Sequence, residues 1–129
     1  MIYIAAIGVA AILLLQATGM IPLSSVGGPL TIGAVIIGII LAVAIHEAWT
    51  QRRGPVGWIV NLVVALVGGM LGAQLGGFVA AMILPTSGSL AAAGGVVFSI
   101  ALVVSVLSAI AGAFAAIQLV NRWRPAPAR

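Results

Sequence analysis

The side chains that could do acid–base or metal chemistry are few, and two of them are adjacent. His46 is followed by Glu47, the single acidic residue of the chain, and ionisable groups within apolar sequence are candidates for function. The zinc-binding pattern HExxH would need a second histidine where Thr50 stands. Because Arg52 and Arg53 follow within two turns, we expect an ion pair between Glu47 and one of these arginines. A pH-sensing His46 is the alternative.

Other reactive arrangements are missing from the sequence. Cysteine is absent, which excludes disulfides and thiolate metal sites. No carboxylate lies deep within an apolar run, so an ion-coupled transporter of the usual acidic type would lack its coupling group. No nucleophile, base and orienting group stand near one another, and no phosphate-binding glycine loop is present. We therefore predict no enzymatic activity, no cofactor and no metal.

Small residues recur at intervals of four in the third and fourth apolar runs. Residues four apart share one helix face, and glycine on that face lets a second backbone approach closely. Packing within one molecule and association between copies both fit such a glycine zipper. The rows are Gly68, Gly72 and Gly76; Gly69, Ala73 and Gly77; Ala101, Ser105, Ala109 and Ala113; and Ser108, Gly112 and Ala116.

Gln74 is the large polar residue near the middle of the third apolar run. A side-chain amide in hydrocarbon needs a partner or water, so it either joins helices or lines a pore. Ser105 and Ser108 are the other candidates for a pore lining.

The composition determines the setting of these residues. The chain has 129 residues, of which 64% are hydrophobic and 5% charged, with a mean hydropathy of +1.37. A soluble fold would have too few polar side chains to cover its surface, and no polar face remains for a nucleic-acid partner. The sequence therefore predicts an all-α integral membrane protein whose surroundings are the lipid bilayer.

The apolar runs predict four membrane-spanning helices in one transmembrane domain covering residues 1–129. We take the first run as a retained span rather than a cleaved signal peptide, because no positive residues precede it and no clear cleavage site follows. The later runs are longer than the hydrocarbon layer requires, which indicates tilt or a late start. The predicted spans are 2–21, 30–49, 56–84 and 90–120, followed by a basic tail at 121–129.

The arginines test this number of spans independently. With four spans, all five fall on one side of the bilayer, which the positive-inside rule makes the cytoplasm, and both termini lie there. Three spans would scatter them over both faces. The expected anchors at this interface are Trp49, Arg52, Arg53, Trp58, Arg122, Trp123 and Arg124, together with Tyr3.

One stretch resembles a known group of proteins. The residues Ile45 to Trp49, Arg52 to Gly54 and Gly57 to Asn61 are similar to small membrane proteins of phages and prophages, some of them holins. The resemblance implies a protein of the bacterial cytoplasmic (inner) membrane that self-associates and permeabilises it. The run from Val67 to Gly77 also resembles the glycine-rich stress-response proteins related to transglycosylase-associated proteins.

These observations leave three functional hypotheses. The leading one is a holin-like pore former that acts as a homo-oligomer through Gly68, Gly72 and Gly76. The second is an accessory subunit that packs against another membrane protein. The third is a channel for a small neutral solute, although no selectivity element is recognisable.

Overall fold

The computed structural model describes residues 2–21, 27–84 and 95–124, and within them the chain is all-α. The predicted helical bundle is thereby confirmed. The four helices of the described residues are α1 (Ile2–Ala17), α2 (Gly27–Thr50), α3 (Pro55–Ile83) and α4 (Gly95–Trp123). Of the predicted tail 121–129, residues 121–123 belong to α4, and the part beyond Arg124, including Arg129, lies outside the described residues.

Three of these helices, α2, α3 and α4, are long and apolar enough to cross a membrane. Their 24, 29 and 29 residues exceed the roughly 20 that a hydrocarbon layer requires. No charged residue interrupts α3, and α2 carries its charge only near its last turn. The chain is therefore a small helical protein suited to membrane integration.

The first helix is shorter than the predicted span 2–21. It has 16 residues, or about 24 Å at 1.5 Å per residue, against a hydrocarbon layer of about 30 Å. Gly19 ends it: the residue has φ +68°, and the amides of Gly19 and Met20 donate to the carbonyls of Gln16 and Leu15. This is a Schellman cap, which glycine adopts without steric cost.

The helices pack side by side around a core of branched aliphatic residues. Successive contacts along α3 run backwards along α4, so these two helices are antiparallel. Gly8 of α1 meets Ile39 of α2, and Gln16 at the end of α1 reaches the first turn of α4. The largest fully buried side chains are Ile12, Ile40, Val43, Val106 and Ile117, from α1, α2 and α4.

The α2–α3 connection is a tight turn that determines where the arginines point. Arg52 has φ +47°, and the amide of Arg53 donates to the carbonyl of Ala48 at 3.2 Å. Gly54 and then Pro55 begin α3 directly afterwards. The turn places Arg53 beside the last turns of α4, at what we call the arginine end of the bundle, the end that carries Arg52, Arg53 and Arg122.

Candidate functional site

The glycines of α3 make the closest helix contact in the described chain. A methyl group at Gly72 would overlap the carbonyl oxygen of Ser108, and one at Gly68 would overlap the carbonyl oxygen of Gly112 and the side chain of Ala116. The contact is reciprocal, since a methyl at Gly112 would overlap the carbonyl of Gly68. Glycine is therefore required on both helices for this approach.

The remaining predicted small-residue positions also face the chain's own helices. Gly76 lies against the Ser108 side chain, and Gly77 lies near Ser105. Gly69 contacts α2 instead, since a Cβ atom there would lie 2.5 Å from Cδ1 of Ile40. Ala73 is half-buried against the core, and Ala101, Ala109 and Ala113 are buried. Packing within one molecule thus accounts for these rows, and association through them stays a prediction.

Gln74 lies on the opposite side of α3 from this contact. Two residues along a helix rotate the side chain by about 200°, so Gln74 points away from α4 when Gly72 and Gly76 point toward it. The residues around it are exposed and apolar. This surface, called here the α3 outer face, consists of Val67, Met70, Leu71, Gln74, Leu75, Phe78 and Met82.

The depth of Gln74 makes its exposure significant. It stands five residues beyond the midpoint of α3, about 8 Å along the helix axis. With that midpoint at the centre of the bilayer, Gln74 lies within the hydrocarbon layer, which extends about 15 Å from its centre. The side-chain amide of Gln74 forms no hydrogen bond with any described residue. In a bilayer the amide would therefore face lipid without a partner, an arrangement that costs free energy.

The three predicted pore-lining residues do not share a surface in one chain. Ser108 lies in the α3–α4 contact, and Ser105 is half-buried beside Gly77. Gln74 is exposed on the other side of α3. A common lining would need more than one copy of the chain or another arrangement of the helices, so their pore role stays a prediction.

The predicted ion pair between Glu47 and an arginine is not formed in the described residues. Gln51 stands between them: its Nε2 donates to Oε2 of Glu47 at 2.9 Å, and its Oε1 accepts from Nε of Arg53 at 3.1 Å. Arg53 also donates from Nη2 to Oδ1 of Asn121 at 2.8 Å. The physical reason is the turn at Arg52, which directs Arg53 toward α4, while Gln51 lies one helical turn from Glu47. His46 is exposed.

Two asparagines at the arginine end, Asn61 and Asn121, were given no role by the sequence analysis. Asn61 is 3% exposed, and the Nδ2 atoms of Asn61 and Asn121 are buried without a hydrogen-bond partner among the described residues. The sequence does indicate that Asn61 faces the bundle, because it stands four residues after Gly57 and four before the buried Ala65. However, an asparagine near a helix end whose side chain reaches the membrane interface can have the same spacing, so the spacing alone does not predict burial.

The predicted interface anchors gather at the arginine end. Trp49 and Trp123 are 75% and 81% exposed, as rings facing headgroups would be. Trp58 and Arg53 are half-buried, and Arg52, Arg122 and Arg124 are exposed. The hydrogen bond from Arg53 to Asn121 brings the arginine-bearing turn and the last turn of α4 to one end of the bundle.

The opposite end has one side-chain link that no sequence pattern predicted. The Ser99 hydroxyl donates to Oε1 of Gln16 at 2.9 Å, which joins the end of α1 to the start of α4. An open cleft lies beside this link, lined by Leu13, Ala17, Gly95 and Val96.

Comparison of the chain with protein-family models, curated proteins and solved structures finds no match. The resemblances to holin-like and to transglycosylase-associated proteins therefore stay predictions. Among the described residues, no group of three or more His, Cys, Asp or Glu side chains could hold a metal ion.

Proposed function

We propose that this chain is a small integral membrane protein that self-associates through the α3 outer face. On this proposal its oligomer permeabilises the bacterial cytoplasmic membrane in the manner of holins. The observation that carries the proposal is the position of Gln74, exposed on an apolar helix face within the depth of the hydrocarbon layer. An amide both donates and accepts, so two copies related by a two-fold axis would satisfy each other's amides.

A second copy fits the α3 outer face better than it fits the row of Gly68, Gly72 and Gly76. Gly68, Gly72 and Gly76 already contact α4, so a partner could reach them only after the two helices separate. The α3 outer face is free among the described residues, and its members flank Gln74 with large apolar side chains that can pack across a dimer axis. The proposed association therefore leaves the folded monomer intact.

Permeabilisation requires the polar groups of several copies to meet. One chain does not bring Gln74, Ser105 and Ser108 onto one surface, so we place the conducting path in the oligomer. An accessory subunit would use the same face to bind a different membrane protein. If the chain is an accessory subunit, its expression alone leaves the membrane impermeable.

Inducible expression in bacteria, with membrane potential and potassium efflux recorded, tests the proposal. We expect the wild-type chain to collapse the potential and Gln74→Leu to leave it intact at equal membrane abundance. The matched control is Gln118→Leu, the same change at an exposed position on α4, which should behave as wild type. An intact potential with the wild-type chain would contradict permeabilisation and favour the accessory-subunit role.

A further inference from the structure

The described arginines at the arginine end are of two kinds, and Arg53 alone is used within the fold. It is half-buried, and its Nε donates to Oε1 of Gln51 at 3.1 Å and its Nη2 to Oδ1 of Asn121 at 2.8 Å. Gln51 also donates to the carboxylate of Glu47. The positive charge of Arg53 is therefore compensated by Glu47 through the amide that lies between them.

The other three arginines, Arg52, Arg122 and Arg124, are exposed. Their side chains form no hydrogen bond or ion pair with any described residue. Glu47 is the single acidic residue of the chain, and it is buried and bonded to Gln51. These three guanidinium groups therefore have no bonded counter-charge among the described residues.

The backbone of Arg52 has a conformation that arginine seldom adopts. Its φ is +47°, in the left-handed region where a Cβ atom costs free energy and glycine would be unstrained. No bond from its side chain to a described residue offsets this cost. Backbone strain of this kind clusters at ligand and switch sites, so the guanidinium of Arg52 is a candidate for a contact outside the chain.

The three exposed arginines lie at one place on the molecule. The hydrogen bond from Arg53 to Asn121 joins the α2–α3 turn to the last turn of α4. Arg52 directly precedes the first of these two residues, and Arg122 directly follows the second. Arg124 comes two residues later, where α4 ends. The result is one positively charged surface at one end of an apolar bundle.

Tryptophans indicate the depth of this surface in a membrane. Trp49 and Trp123 are exposed and stand close to Arg52 and Arg122 in the chain, and tryptophan rings favour the headgroup level of a bilayer. The arginines would therefore lie level with lipid phosphates. Their uncompensated charge favours lipids with a net negative charge over zwitterionic lipids, although both kinds carry a phosphate.

We propose that the arginine end is an interaction surface for the headgroups of anionic phospholipids. Arg52, Arg122 and Arg124 supply its charge, and Trp49 and Trp123 hold it at headgroup depth. Arg53 belongs to the fold and takes no part in the attraction. The surface is separate from the α3 outer face, so this proposal does not depend on self-association.

Vesicles that contain the full-length chain in mixtures of phosphatidylcholine and phosphatidylglycerol test the proposal, with brominated acyl chains on one lipid at a time. Bromine quenches tryptophan fluorescence at short range, and all three tryptophans of the chain, Trp49, Trp58 and Trp123, lie at the arginine end. The quenching therefore reports which lipid lies beside this end. We expect a preference for phosphatidylglycerol that weakens as salt is added, because ions screen exposed charges.

The double variant Arg52→Gln, Arg122→Gln should lower this preference by about fivefold for each arginine removed. Both side chains are exposed and unbonded, so the variant should keep its helix content. The matched control is Glu47→Gln with Arg53→Gln, which also neutralises two groups but leaves the net charge unchanged. It should keep the wild-type preference.

Three results would overturn the proposal. Equal quenching by the two lipids in the wild-type chain would leave the exposed arginines to a protein partner. An unchanged preference in Arg52→Gln, Arg122→Gln would show that these residues do not attract the lipid. Loss of the preference in a folded Glu47→Gln, Arg53→Gln variant would assign the attraction to the internal pair.

If that control does not fold, Arg52→Lys with Arg122→Lys takes its place. This variant keeps the positive charge and should keep the preference for phosphatidylglycerol. Loss of the preference in the lysine variant would contradict an attraction based on charge.

Discussion

At residue scale, the close approach of α3 and α4 depends on hydrogen atoms where other residues have a Cβ. Gly72 faces a backbone carbonyl, which cannot move aside as the far end of a side chain can. Gly38 on α2 has nothing within 4 Å of its missing Cβ. A Cβ atom therefore has room at Gly38 and has none at Gly72.

Gly72→Ala should lower the stability of the folded chain, because the added methyl group forces the two helices apart. Overpacking of this kind costs about 1–3 kcal/mol. Gly38→Ala should raise stability by up to about 1 kcal/mol, the difference in helix propensity. Thermal unfolding in detergent compares the two. Equal melting temperatures would contradict the intramolecular contact.

Association between copies needs to be probed by a substitution that leaves the monomer intact. A substitution at Gly72 disturbs the monomer before it can report on the contact between copies. Gln74→Leu removes the amide from a surface that the monomer leaves exposed, so it separates association from folding.

At the scale of single helices, α1 is distinguished by its length and by its cap. The cap requires a left-handed residue at Gly19, where an added Cβ atom would have nothing within 4 Å. A substitution there strains the backbone without a steric clash.

Gly19→Ala should therefore destabilise the end of α1 by about 1 kcal/mol. Hydrogen exchange should quicken in the last turn of α1 and stay unchanged in α3. Unchanged exchange at the end of α1 would show that the Schellman cap does not hold this helix end.

The helices could be predicted from the sequence more fully than their contacts. Apolar runs bounded by proline, glycine and arginine predicted α2 and α3 within a few residues, because length and hydropathy decide a membrane helix locally. α1 ends at Ala17, before the end of the predicted span at residue 21, because Gly19 adopts a positive φ that closes the helix. Hydropathy does not indicate such a cap. Glu47 and Arg53 both bond to the nearby Gln51 because of the turn at Arg52, whereas Arg53 also bonds to Asn121, which lies 68 residues further along the chain. Gln74 was recognised as polar within a span, but its direction depends on which face α4 covers.

At the scale of the whole molecule, the arginines and tryptophans indicate one membrane side for both the α2–α3 turn and the end of α4. Single-cysteine variants can test this directly, because the chain has no cysteine of its own. Thr50→Cys and Arg122→Cys should be labelled by an impermeant maleimide only when the cytoplasmic face is open, and Val96→Cys only from the other face. Labelling of the first two from opposite sides would contradict the topology.

The α3 outer face is the surface on which the proposed self-association and permeabilisation both depend. Disulfide cross-linking in native membranes tests its contact with a second copy most directly, using Leu71→Cys and Phe78→Cys, about one turn to either side of Gln74. Ala115→Cys, exposed on α4, is the matched control. We predict covalent dimers at the two α3 positions, abolished by adding Gln74→Leu, and only background cross-linking at 115. Equal cross-linking at all three positions, or none on α3, would contradict the joining of two copies through this face.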